Sequence, residues 1–198
     1  MTAAAPAPIR PCIVVAGLGR CGSSLTMQML HAAGVPCMGA YPGFEDDAFA
    51  SGRRQMERLS SLSDCAVKIL DAWRAPATAL THHVVIWLRR DPDEQARSML
   101  KFAGAPMHRH NVRGIKSKLA IDTRLSREGL GVAPAAEKLP MLRHDFEDLI
   151  QHPLASSRRI AAFLAANGWP DLDAEKMAAQ VRPRSPKCLP GFLEFYLL

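Results

Sequence analysis

The stretch Cys12-Ile13-Val14-Val15-Ala16 runs directly into Gly17-Leu18-Gly19-Arg20-Cys21-Gly22-Ser23-Ser24, and apolar side chains then recur at helical spacing through Leu25, Met29, Leu30 and Ala33. A short unbroken apolar run of this kind marks a strand buried on both faces of a parallel sheet. The glycines that follow let the backbone turn its N–H groups toward one point, and a helix N-terminus adds partial positive charge there. The stretch therefore predicts a strand over 12–16, an anion-binding loop and a helix over 24–33, stopped by Gly34. The spacing Gly17-x4-Gly22 has the outline of a Walker A loop, but Ser23 stands where that loop carries its lysine. The cation sits inside the loop instead, at Arg20.

Working outward, residues 66–70 (AVKIL) and 84–88 (VVIWL) read as further strands, and 140–143 (PMLR) as a short one. Asp91 is placed to cap a helix with Pro92 at its first position and Glu94 set for a capping box, running to about Phe102. Residues 111–127 look helical and basic, 145–150 and 153–166 form a helical hairpin, and a short helix is expected over 174–181. Strands separated by helices predict an α/β fold, with a parallel β-sheet flanked by helices and right-handed crossovers. Ligands of such sheets bind beyond the carboxyl ends of the strands. The 198 residues suit a single domain over 12–198, preceded by an Ala/Pro-rich flexible tail over 1–11.

Composition narrows the function classes. Net charge is +6, which favours an anionic ligand without naming it. Aromatic residues make up 6%, and neither a stacking platform nor a recognition motif is present, so nucleic acid is not an expected partner. The uncharged segment 21–44 contains Ser, Thr, Gln and His and is interrupted by Gly and Pro, so no membrane span is expected there. The five cysteines form no C-x-x-C pair, which signals neither a disulfide framework nor a zinc site, and reduced thiols in a cytoplasmic protein are the simplest account.

Arg20-Cys21-Gly22-Ser23-Ser24-Leu25 resembles the R-S-G-T-S/T-L loop of the sulfotransferase superfamily, with Cys21 in place of the usual serine. Arg90-Asp91-Pro92, following a strand and itself followed by Ser98 eight residues after the arginine, is similar to that family's R-[DN]-P…S pattern. Residues 142–149 (LRHDFEDL), then His152-Pro153, are similar to its L-R-Y-E-D-L…P signature. The resemblance implies a P-loop NTPase-like sulfotransferase architecture and 3′-phosphoadenosine-5′-phosphosulfate (PAPS) as sulfuryl donor, with PAP as its product. It also implies a cofactor loop of Gly19, Arg20, Cys21, Gly22, Ser23 and Ser24, and a 3′-phosphate grip by Arg90 and Ser98. The family's C-terminal R-K-G-x-x-G motif is absent; Arg182, Arg184 and Lys187 are the nearest substitutes, though a solvated basic tail is the simpler reading.

Sulfuryl transfer to a hydroxyl or amine acceptor needs positioning and electrostatic stabilisation, and no metal is demanded where guanidinium and ammonium groups offset developing charge. Arg20 is the expected cation at the transferring group, and Lys68 the second. A lysine inside an apolar strand must lie near an anion or pair with an acid such as Asp71. Glu45, after a Gly/Pro-rich loop, is the candidate general base, with Asp46, Asp47 and Asp71 as rivals. A kinase-like phosphotransferase lacks its loop lysine here, and a catalytically inactive nucleotide-binding module of the same fold would keep the loop but lose the base. The acceptor class stays open: carbohydrate, lipid, peptide or small molecule.

Overall fold

The computed structural model describes residues 9–46, 58–59, 61–72, 82–129 and 139–182. Four strands, β1 (Cys12–Gly17), β2 (Ala66–Leu70), β3 (His83–Arg89) and β4 (Met141–Asp145), form one sheet in the order β2-β1-β3-β4. Every pair is parallel: Val14 faces Val67 on one side and Val85 on the other, and Arg89 faces Asp145. The expected α/β fold with a flanked parallel sheet is therefore observed.

Alternation along β1 sorts the core into two layers. Ile13 and Val15 join Ala66, Val84, Ile86 and Leu88 on one face, while Val14 and Ala16 join Val67, Ile69, Val85 and Trp87 on the other. The first face is covered by α1 (Ser23–Ala32) and, after α2 (Pro92–Phe102) and α3 (Arg109–Gly129), by α4 (Phe146–Gln151), α5 (Pro153–Ala165) and α6 (Ala174–Ala178). Met27, Met29, Leu30, Leu149, Ile160, Leu164 and Met177 supply its buried side chains. Helix α1 turns Thr26, Met27, Met29 and Leu30 inward, whereas Leu25 and Ala33 reach the core only at its edge.

The start of α2 keeps the expected cap and loses the expected box. The Asp91 carboxylate accepts from the N–H groups of Asp93 and Glu94, both at 3.0 Å, with Pro92 in the first turn. The Asp91 N–H donates not to Glu94 but to Glu147, at 3.3 Å, because Glu94 pairs with Arg90. At the other end of the chain α6 is shorter than the 174–181 expected. Arg10 and Pro11, inside the stretch expected as a tail, already touch the domain. Arg10 pairs with Asp64 at 2.8 Å and stacks over Trp169, whose indole N–H donates to the Pro11 carbonyl. Arg184 and Lys187 lie outside the described residues. No helix among the described residues is long and apolar enough to cross a membrane.

His144, on β4, is buried with neither ring nitrogen hydrogen-bonded. Burial, followed by the nearby Arg159, holds its pKa below the usual 6.5. The folded state therefore takes up less proton than the unfolded chain once the pH drops below about 6.5, and stability is lost on the way down to the folded pKa. His83 shifts the same way but keeps a bond to the Leu59 carbonyl. His144→Leu, which removes the group, is expected to match or exceed wild-type stability at pH 7.5 and to lose less of it at pH 5.5; urea unfolding at the two pH values checks this.

Candidate active site

The crevice lies where the chain leaves β1 and β3, neighbours whose following strands lie on opposite sides of the sheet. At the end of β1, Gly17 packs closely: a Cβ there would lie 2.6 Å from Cys21 Sγ and 3.0 Å from the Leu88 carbonyl. The Cys21 thiol thus sits beneath the loop, not in its mouth, and burial pushes its pKa up to about 12. Arg20 and Gly22 both adopt left-handed backbone, with φ of 67° and 95°. This double turn delivers Ser23 into the first turn of α1, where no acidic residue opposes an anion.

A second element fastens the loop. Gln95, buried on α2, donates to the carbonyls of Gly19 at 2.8 Å and Leu18 at 3.4 Å. The sequence reading missed Gln95; its signal was a polar residue on the inward stripe of an amphipathic helix. Arg90 Nη1 donates to the Arg20 carbonyl at 3.1 Å, and Arg20 Nε donates to Ser98 Oγ at 3.2 Å. The Arg20 guanidinium also lies 5.0 Å from the Phe102 ring centre. The structure thus brings Arg20, Arg90 and Ser98 together, and the Arg20 side chain reaches away from its own loop toward α2.

Arg90 is held by carboxylates. It pairs with Glu94 at 3.3 Å and lies 3.9 Å from Glu147, with its guanidinium 4.8 Å above the Phe146 ring. Its buried Nε has no hydrogen-bond partner among the described residues. Phe146 also closes on the loop: a Cβ on Gly22 would lie 2.3 Å from Phe146 Cδ2. The segment that resembled a structural signature therefore carries two residues that touch the site, Phe146 and Glu147.

The third group assembles around β2. Lys68 shares the α1 side of the sheet with Ala66 and is buried, yet each of its three N–H donors finds an oxygen: Ser24 Oγ at 3.2 Å, the Gly43 carbonyl at 2.5 Å and the Glu45 carboxylate. Its side chain is 2% exposed against 72% for Glu45, so the acid faces solvent while the amine does not. The preceding loop explains how Glu45 arrives. Gly39, at φ 85°, lets the chain fold back so that Ala40 bridges Glu45; a Cβ on Gly39 would lie 2.6 Å from the Phe44 carbonyl carbon. Buried Phe44 anchors the turn, and Gln28 on α1 donates to the Pro42 carbonyl. Asp71, a rival base, donates its N–H to Gly17 at the root of the anion loop. Asp47 lies outside the described residues.

No protein-family model matches the chain, and no curated protein matches its sequence. Solved structures do match. A retinol dehydratase, crystallised with androsterone and inactive cofactor PAP, superposes with a TM-score of 0.51 at 18% identity, over 87% of this chain and 64% of that one. The chain shares the fold of that retinol dehydratase. A sulfotransferase from Alicyclobacillus acidocaldarius matches over 90% of this chain and 88% of its own, with a TM-score of 0.44 and 14% identity. The sulfotransferase domain from the curacin biosynthetic pathway matches over 95% and 87%, with a TM-score of 0.48 and 18% identity.

Within this fold, Gly22 meets two constraints at once, a left-handed backbone and the Phe146 ring. Gly22→Ala is expected to destabilise the chain by about 2 kcal/mol or more. Adding Phe146→Ala removes the clash but not the strain, so a double-mutant cycle by urea unfolding should show partial recovery.

Proposed function

We propose that the chain is a sulfotransferase that moves a sulfuryl group from PAPS to a hydroxyl or amine acceptor. The observation that carries this reading is the meeting of Arg20, Arg90 and Ser98: two anion-binding segments some 70 residues apart in sequence are hydrogen-bonded into one site. A loop shaped for phosphate but lacking the ATP-binding lysine, joined to a strand-end arginine and a helix hydroxyl, suits a nucleotide with anionic groups at both its 5′ and 3′ positions.

The residues fit such a nucleotide. A Cβ on Gly19 would meet nothing within 4 Å, so the loop is open at that point, and Arg90 keeps one buried donor without a hydrogen bond. When bound, the nucleotide supplies the sulfuryl group. The backbone of residues 19–24 holds the 5′ end, and Cys21 contributes main chain but not its buried thiol. In this reading Arg20, hydrogen-bonded to Ser98 beside Arg90, joins them at the 3′ end. Lys68 sets the Ser24 hydroxyl and the Glu45 carboxylate beside the loop, and Glu45, open to solvent, takes the acceptor's proton. The free thiols of Cys12, Cys21, Cys37 and Cys65 support the cytoplasmic location.

Calorimetry tests the nucleotide. PAP is expected to bind more tightly than ADP without magnesium, and equal affinities would defeat the reading. Arg90→Ala should weaken PAP by about 2 kcal/mol and leave adenosine-5′-phosphosulfate, which lacks the 3′-phosphate, nearly unchanged. Glu45→Gln should keep PAP binding but cut turnover by about 100-fold or more, measured with labelled PAPS on an acceptor found by screening sugars, lipids and phenols.

A further inference from the structure

Two thiols lie at the opposite end of the sheet from the anion loop. Cys12 opens β1, and Cys65 immediately precedes β2. Because Ile13 pairs with Ala66 and the Ile13 N–H donates to the Cys65 carbonyl at 2.9 Å, the two cysteines are register neighbours. Their side chains turn to the same face of the sheet, in the layer with Leu59, Val14 and Val67, and the sulfur atoms are 4.0 Å apart in an S–H···S contact. We infer that Cys12 and Cys65 are an oxidisable dithiol, closed to a disulfide by hydrogen peroxide.

Adjacent strands lie about 4.8 Å apart, inside the Cα range that a disulfide spans, and the sulfur atoms have to close from 4.0 Å to about 2.05 Å. Cys65 is the entry point, being 8% exposed against 0% for Cys12. The contact from Cys12 also lowers the pKa of the Cys65 thiol, which favours its thiolate. The Cys65 thiolate attacks one peroxide oxygen; the O–O bond breaks, hydroxide leaves, and a sulfenic acid forms. The Cys12 sulfur then attacks that sulfenic sulfur, the S–O bond breaks, and the proton from Cys12 leaves with the departing hydroxide as water. Two thiols are oxidised to one disulfide, and one peroxide is reduced to two waters. The other described thiols are placed differently: Cys37 bonds to the Val35 and Met27 carbonyls, and Cys21 lies under the anion loop.

The bond would close a loop between positions 53 residues apart, a segment that contains the anion loop, α1 and Glu45. Closing a loop of that length in the unfolded chain raises stability. The test treats the reduced full chain with hydrogen peroxide at neutral pH, then reads intact mass, non-reducing peptide maps and the thermal midpoint. The expected result is a loss of about 2 Da, one linked peptide pair holding Cys12 and Cys65, and a midpoint raised by several degrees that dithiothreitol returns. In Cys12→Ser, Cys65 should stop at a sulfenic acid that dimedone traps. The inference is overturned if Cys65 links to Cys37 instead, if Cys65 passes to sulfinic acid with Cys12 untouched, or if both thiols react only in urea.

Discussion

Strand β1 is hydrogen-bonded on both sides along its length, to β2 and to β3, and that double pairing is what holds the Gly-rich loop after it in place. A loop whose backbone N–H groups must converge needs a fixed base, and an interior strand of a parallel sheet is about as fixed as a chain becomes. Since every strand runs the same way, the loops after β1, β2 and β3 all open at one edge of the sheet. The loop after β1 meets the loop after β3 because the chain's path diverges at that point, toward β2 from one strand and toward β4 from the other. Gly17 shows how tight the base is: its backbone runs so close to Cys21 and to the Leu88 carbonyl that no side chain fits.

The site is built from charges that already have partners. Buried Lys68 is tolerated because three oxygens receive its three donors, so the lysine acts as a bracket between α1, the loop at Gly43 and Glu45. On the basic helix α3, Lys116 pairs with Asp93 and Lys118 with Asp122, while His108, Arg109 and His110 are exposed. That face is the solvated surface a run of charges usually forms, and it explains how a chain of net charge +6 keeps its basic residues apart.

Much of the fold was legible because its signals are local. The apolar run before Gly17, the Asp91-Pro92 cap and the AVKIL run each specify an element without help from distant residues, and β2 spans the same five residues in both readings. The pairing of Lys68 with Glu45 was half legible: a lysine in an apolar strand announces a missing partner, but Asp71 was as near in sequence as any acid. What chose Glu45 was the fold-back at Gly39 and the burial of Phe44, a tertiary event with no local signature. The direction of the Arg20 side chain was equally hidden, since it depends on a left-handed φ and on Ser98, 78 residues away. The failed capping box belongs to the same class. Glu94 is spaced for the Asp91 N–H, and a guanidinium brought in by the strand end outcompetes it.

The two carboxylates around Arg90 make the second anchor a filter for valence. Its guanidinium already has Glu94 at 3.3 Å and Glu147 nearby, so beyond the unbonded Nε an arriving anion would have to exchange with these carboxylates. The free energy of that exchange is the difference between a new ion pair and those it disturbs, and it is smaller than a bare arginine would give. On the proposed reading, a monovalent ion such as chloride would gain less from that exchange. A terminal phosphate, with a second negative charge and three oxygens in fork geometry, would gain more.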